Sequence, residues 1–161
     1  MKVDGSGDAA LAAALVGTWR LVSWTIEYPA SGRVTRPFGP RPEGLLLYAA
    51  DGHMSAVMQR PGRARLSRAD PGAVDDAEKA AAFAGYLHYA GTWHVAGGCV
   101  VHAVELAMNP NLIGTLQRRR IALSGDALEL AADEPLETPG ATRHHRIAWR
   151  RAPRQATGAA A

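Results

Sequence analysis

Polar and apolar residues alternate with a period of two over most of this chain, which is typical of β-strands that bury one face. The longest example is residues 99–123, where two alternating arms meet at Asn109-Pro110-Asn111. Asn and Pro favour turns, because Pro fixes its own φ angle and Asn tolerates left-handed backbone geometry. A turn centred between Pro110 and Asn111 predicts a hairpin in which His102 and Arg119 face each other on the more apolar side.

A second hairpin is predicted around Asp51-Gly52, a dipeptide that suits a two-residue type I′ turn. This turn would pair Tyr48 with Ser55. It would place Met54 and Met58 on the other face of the hairpin, where their flexible side chains form an adaptable lining.

Glycine turns extend the pattern on both sides of the long hairpin. The Gly97-Gly98 turn pairs Trp93 with His102, so Trp93, His102 and Arg119 are predicted to form one row across three strands. Downstream, a turn at residues 124–126 pairs Leu123 with Leu128. The last alternating segment, residues 142–151, places three side chains on one face: His145, Ile147 and Trp149.

Residues 17–28 are rich in aromatic and β-branched residues and form a first strand. Both faces of this strand carry apolar groups, and the pattern alone does not decide which face is buried. One alternative buries Trp19, Leu21 and Ser23. The other buries Val22, Trp24 and Ile26.

Two helices are predicted. A short one begins with Asp8 as its N-cap and lies in an N-terminal extension, residues 1–15. The second follows a capping box in which Asp75 is the N-cap and Glu78 the third helical residue. It would run to about Ala90, with Gly91 as a left-handed C-cap.

The predicted fold is all-β with one inserted helix. Eight strands joined by sequential antiparallel connections favour an up-and-down barrel, which removes sheet edges by closing on itself. The barrel domain spans residues 16–152, and the Ala/Gly-rich residues 153–161 form a disordered tail. An eight-stranded barrel has an interior that is either filled by side chains or holds one small ligand.

Composition excludes several classes of protein. The chain of 161 residues is 47% hydrophobic and 20% charged, as in ordinary soluble proteins. No apolar run approaches the roughly 20 residues of a membrane span. The single cysteine, Cys99, fits a reducing cytoplasm. The net charge of +3 is dispersed, and Arg118 and Arg120 face away from Arg119, so the arginines indicate a solvated surface and no nucleic-acid partner.

No cofactor or metal site is predicted. The sequence has no phosphate loop, nucleophile elbow or dinucleotide fingerprint. It contains six histidines, but no pair has the spacing that metal ligands adopt on one strand or helix.

The predicted chemistry lies with His102 and Arg119. A cationic guanidinium in an apolar interior can hold a carboxylate, enolate or phenolate, and it lowers the pKa of a nearby histidine. A neutral His102 could then act as a general base. Alternatively, Arg119 pairs with Glu105 or a terminal carboxylate, and His102 is a hydrogen-bonded core residue. Further candidate ligand contacts are Trp93, Val104, Gln117, Tyr48, Met54, Met58, Tyr86, Tyr89, His145 and Trp149.

Several motifs, taken in order, resemble the bacterial lipocalin-like domain family over nearly all of residues 16–152. They are Gly17-Thr-Trp-Arg-Leu-Val-Ser23, Gly44-Leu-Leu-Leu-Tyr48, Asp51-Gly-His-Met-Ser55, Lys79-Ala-Ala-Ala-Phe-Ala-Gly-Tyr-Leu-His-Tyr-Ala-Gly91, Val101-His-Ala-Val-Glu105, Asn109-Pro-Asn-Leu-Ile-Gly114 with Arg119, and Ile147-Ala-Trp-Arg150. The resemblance implies a small barrel with an apolar cavity. Some barrels of this kind serve natural-product pathways as cofactor-free cyclases or isomerases.

We therefore expect a cytoplasmic protein that binds a small, largely apolar organic molecule in the barrel, in bacterial secondary metabolism. A second hypothesis is a cofactor-free cyclase or isomerase for a polyketide- or terpenoid-like substrate, with His102 as acid or base and Arg119 stabilising negative charge. A third is a packed barrel that acts only as a protein-interaction module. A homodimer is compatible with all three.

Overall fold

The computed structural model describes residues 5–154 and contains two helices and nine strands. The helices are α1 (Gly5–Leu15) and α2 (Asp76–Ala84). The strands are β1 (Gly17–Tyr28), β2 (Arg33–Thr35), β3 (Glu43–Tyr48), β4 (His53–Gln59), β5 (Tyr86–Ala96), β6 (Cys99–Ala107), β7 (Leu116–Ser124), β8 (Ala127–Pro135) and β9 (Thr142–Arg151).

Eight of the strands close into an antiparallel barrel. The sheet order is β2-β1-β3-β4-β5-β6-β7-β8-β9, and a further pairing of β1 with β9 joins the two ends. The predicted eight-stranded barrel is therefore confirmed. The ninth strand, β2, pairs with only the last three residues of β1.

A β-bulge in β1 resolves the orientation of the first strand. Leu21 pairs with Trp149 and Ser23 with Ala148, so Val22 is the extra residue. A bulge of this kind changes which side chains point inward. Trp19 is buried before the bulge and Ile26 after it, whereas Val22 is 50% exposed. Each of the two alternatives thus holds for one half of the strand.

The hairpin between β3 and β4 differs from its prediction by one residue. Tyr48 pairs with Met54 instead of Ser55, because the loop has three residues. Ala49 and His53 close this loop, and Gly52 adopts a left-handed φ of 88°. A slip of one residue exchanges the two faces of a strand. Met54 and Met58 consequently lie with Tyr48 in the core and not on the opposite face.

Helix α2 is shorter than predicted. Asp75 is its N-cap and accepts a hydrogen bond from the backbone N–H of Glu78, as expected. The helix ends at Ala84 with Gly85 as C-cap, so the predicted end near Ala90 is wrong. The residues that follow belong to β5, where Leu87, Tyr89 and Trp93 alternate towards the core and aromatic side chains favour a strand.

Helix α1 covers one end of the barrel. Leu15 is fully buried, and its carbonyl accepts the indole N–H of Trp19. The carboxylate of Asp8 accepts the backbone N–H groups of Gly97 and Gly98 in the turn between β5 and β6. The helix begins at Gly5, so Asp8 is not its N-cap but ties the first turn of the helix to the barrel.

Within residues 5–154, neither helix has the length and apolar character that crossing a membrane requires. The predicted tail lies mostly outside the described residues. The division into an extension, a barrel domain and a tail stays a prediction.

Candidate functional site

The hairpin of β6 and β7 places both predicted key residues inside the barrel, but in different rows. His102 pairs with Gln117, and Arg119 pairs with Val100. The predicted pairing of His102 with Arg119 is therefore wrong by two residues. The connection contains a 3₁₀ turn, Pro110–Leu112, and is longer than a tight turn. A shift of two residues preserves the face of each side chain, so Arg119 still faces inward.

His102 lies at the centre of the core between two tyrosines. It is 1% exposed. The Tyr48 hydroxyl lies 2.7 Å from Nε2 of His102, and the Tyr89 hydroxyl lies 2.9 Å from Nδ1. Trp93 pairs with His102 across the strands, as predicted, and its ring centroid is 4.5 Å from that of Tyr48. Both nitrogens of the imidazole are therefore occupied by phenol groups.

Burial keeps this imidazole neutral. Removal from water and, to a smaller degree, the positive charge of Arg119 lower the pKa of His102 to about 3. Burial also raises the pKa of Tyr48 well above its usual range. At physiological pH the side chains of His102 and Tyr48 are therefore uncharged, and two hydrogen bonds link His102 to Tyr48 and Tyr89.

Arg119 carries an unpaired charge on the inner face of the barrel. Its side chain is half-buried. Within residues 5–154, no carboxylate lies within 4.0 Å of it and no hydrogen-bond acceptor is in place for its guanidinium. Glu105, one of the carboxylates considered as a partner, is exposed at a β-bulge. A partly buried cation without a partner is costly, so the geometry favours an external anion here.

The inner face of β7 is less buried than the inner faces of the two strands beside it. Gln117, Arg119, Ile121 and Leu123 are all half-buried. Their neighbours on both adjacent strands are fully buried: Val100 and His102 on β6, and Leu128 and Leu130 on β8. The inner side chains of β7 are therefore more accessible than those they pair with.

His145 lies on the inner face of β9, close to the end of the barrel opposite α1. Its side chain is 12% exposed. Nδ1 accepts the indole N–H of Trp24 at 3.3 Å, and Nε2 lies 2.9 Å from the Glu134 carboxylate. Trp24 also contacts Phe38 edge-on, at 5.2 Å between ring centroids. These groups form an aromatic rim whose polar atoms are already paired.

All but one of the other residues predicted to contact a ligand lie on the inner face of the barrel. Buried members of the interior are Met54, Met58, Val104 and Trp149. Tyr86 is the exception, because it lies on the outer face of β5, with the Arg63 guanidinium 5.0 Å from its ring centroid. It does not reach the barrel interior. Tyr89, whose hydroxyl contacts His102, was predicted only as one of several possible polar contacts.

Trp149 has an unsatisfied polar group. It is 3% exposed, and its indole nitrogen has no hydrogen-bond partner among the described residues. Within the same part of the chain, no group of three or more His, Cys, Asp or Glu side chains is arranged to bind a metal ion.

A comparison with curated proteins identifies a relative of this chain. Over 109 residues the chain is 35% identical to the 4'-hydroxy-3'-methoxypropiophenone carrier protein ppsC of Aspergillus oryzae. The match covers 63% of this chain and 98% of that relative. The relative is fungal, and a bacterial origin of this chain stays a prediction.

A comparison with protein families identifies the fold family. The family described as lipocalin-like domain matches residues 16–152, which include every strand of the barrel. The closed antiparallel architecture agrees with this match. The chain belongs to the lipocalin-like domain family.

Proposed function

We propose that this protein binds and carries a small, largely apolar organic molecule with an acidic oxygen. The molecule occupies the interior beside β7, and its anionic oxygen pairs with Arg119. The single observation that carries this proposal is the position of Arg119, a cation on the inner face with no partner among residues 5–154.

The surroundings of Arg119 support the apolar part of the ligand. Ile121 and Leu123 continue the inner face of β7 and are half-buried, so their apolar surface is available to a ligand. Burying such surface is favourable by about 25 cal/mol per Å². The carrier relative binds, by its name, a phenol that carries a ketone group. A phenol of this type can supply an acidic oxygen and an apolar ring.

The enzyme hypothesis has one specific observation in its favour. His102 is a neutral imidazole in contact with two phenol groups, and such a chain can move a proton. Because both nitrogens are occupied and the pKa is about 3, His102 is a weak base that no substrate contacts directly. Proton transfer would pass through a tyrosine hydroxyl. Binding and carrying a small molecule therefore explains the site more simply than cyclisation or isomerisation, which would need this indirect proton transfer.

The test is a binding comparison with 4'-hydroxy-3'-methoxypropiophenone and its 4'-O-methyl ether, measured by titration calorimetry. A charge-assisted contact to Arg119 should favour the free phenol by about tenfold or more. Arg119→Met should abolish this preference.

Arg118→Met is the matched control, since Arg118 lies on the outer face, where its guanidinium donates to the carbonyl of Ala96. It should retain the preference for the phenol. Equal affinity of the wild-type protein for the phenol and the ether, with no effect of Arg119→Met, would contradict the proposal.

A further inference from the structure

Tyr48, His102 and Tyr89 form a hydrogen-bonded cluster with one more polar hydrogen than the hydrogen bonds between them use. Each tyrosine hydroxyl carries one hydrogen, and a neutral imidazole carries one N–H. The three groups make two hydrogen bonds with each other. Whichever nitrogen of His102 is protonated, one tyrosine donates to the imidazole. The other accepts from it, and its own hydroxyl hydrogen is left without an acceptor.

No other group of the described chain accepts this hydrogen. Neither hydroxyl makes a further hydrogen bond within residues 5–154, and Tyr48 and Tyr89 are 2% and 4% exposed. A buried donor without an acceptor is costly in the low dielectric of a protein interior. All the polar hydrogens of Tyr48, His102 and Tyr89 are therefore hydrogen-bonded only when an acceptor from outside the described residues occupies the site.

Two other unsatisfied groups of the interior are also donors. The indole N–H of Trp149 has no partner among residues 5–154, and the guanidinium of Arg119 can only donate. Glu134, a carboxylate at the rim, is already bonded to Arg143 and His145. A ligand that completes these groups supplies oxygen acceptors.

Tyr89 is the better placed of the two tyrosines. Its neighbours across the strands are Ala56 and Ala107, whose side chains are single methyl groups. Tyr48 instead pairs with Met54 and packs against Trp93, at the end of the barrel that α1 covers. For the Tyr89 hydroxyl to keep its hydrogen free, Tyr48 must donate to Nε2 of His102, and Nδ1–H of His102 must donate to Tyr89.

We infer that the Tyr89 hydroxyl donates a hydrogen bond to a carbonyl oxygen of the bound molecule, and that the ligand of this barrel is therefore a ketone or a related carbonyl compound. The inference rests on the proposed function, since it concerns the same ligand in the same interior. It adds a second polar contact, separate from the one with Arg119.

The test compares two probes that differ only in the carbonyl group: 4'-hydroxy-3'-methoxypropiophenone and 2-methoxy-4-propylphenol. The wild-type protein should bind the ketone at least about tenfold more tightly than the propyl compound, as expected for one added hydrogen bond to a buried donor. Tyr89→Phe should lower this ratio about tenfold; a preference that remains reflects the greater acidity of a phenol with a carbonyl group para to it, which acts through Arg119. Tyr86→Phe is the matched control, because Tyr86 lies on the outer face of the same strand, and it should leave the ratio unchanged.

An infrared measurement on the wild-type complex makes the test independent of how well the variant folds. The stretching band of a ¹³C-labelled ketone should lie at lower frequency in the complex than in an apolar solvent, because a hydrogen bond weakens the C=O bond. Equal affinities for the two probes with an unshifted band would overturn the inference and leave the proposed function intact. Failure of both probes to bind the wild-type protein would contradict the proposed function and the inference together.

Discussion

Two walls of the same barrel follow the same alternation of residues but differ in burial. On the inner face of β3 to β6, side chains such as Leu46, Tyr48, Ala56 and His102 are at most 2% exposed. On the inner face of β7, every side chain from Gln117 to Leu123 is half-buried. The first wall forms the packed core that stabilises the fold. The second combines a cation with incomplete packing, which is the combination expected of a binding surface.

The largest predicted effect contrasts the same substitution on the two walls. Leu46→Ala should lower the free energy of unfolding by about 2–5 kcal/mol, because it opens a cavity in a packed region. Leu123→Ala should cost less than half as much, since Leu123 is already half-buried beside solvent. Urea unfolding measures both values. Equal losses at the two positions would show that β7 is packed like the rest of the barrel.

The second prediction concerns the pH dependence of the packed wall. The pKa of His102 is about 3 in the folded state and about 6.5 in the unfolded chain. Between these values the unfolded state binds the proton and the folded state does not, so stability falls as the pH decreases from 6.5 towards 3. The loss is at most about 1.4 kcal/mol per pH unit for one such group.

His102→Gln removes this titrating group and is the control for the pH series. The variant should show a shallower loss of stability between pH 6.5 and 4 when unfolding by urea is measured at several pH values. Asp133 and Glu134, whose pKa values are lowered by Arg120 and Arg143 respectively, contribute equally to both proteins. Parallel pH profiles for the wild-type and variant proteins would show that His102 is protonated to the same extent in both states.

The smallest effect separates a paired arginine from an unpaired one. Arg151 donates to the carbonyls of Ala14 and Val16 and lies over the ring of Trp19, so Arg151→Met should cost about 1–2 kcal/mol. Arg119→Met removes a charge without a partner and should change stability by less than about 0.5 kcal/mol, or increase it slightly. Thermal unfolding of the two variants tests this difference. A large loss for Arg119→Met would mean that Arg119 has a structural partner.

The chain's glycine turns explain which pairings could be predicted from the sequence. Gly97 and Gly98 form a two-residue turn between β5 and β6, which fixes the register of the two strands. The predicted pairing of Trp93 with His102 is therefore correct. The same holds for Leu123 and Leu128. Asp51-Gly52 was assigned a two-residue loop where the structure has three, and this one-residue slip moved Met54 and Met58 to the wrong face.

Two further errors have different physical causes. The turn after β6 uses a 3₁₀ segment, which moved Arg119 along its strand by two residues but kept it inside. The predicted helix was extended through Tyr86–Ala90, because alanines and spaced apolar residues fit a helix as well as a strand. The number of aromatic residues there is the signal that favoured β5. Only the strand places Tyr89 beside His102, and no pattern in the sequence contains that contact.

The most direct test of the account is the location of the bound ligand. In an NMR experiment on the complex with 4'-hydroxy-3'-methoxypropiophenone, aromatic protons of the ligand should show nuclear Overhauser contacts to the methyl groups of Ile121 and Leu123, on the inner face of β7. The methyl group of Ala122, which points outward on the same strand, should show none. Contacts to Ala122 without contacts to Ile121 and Leu123, at saturating ligand, would contradict binding inside the barrel.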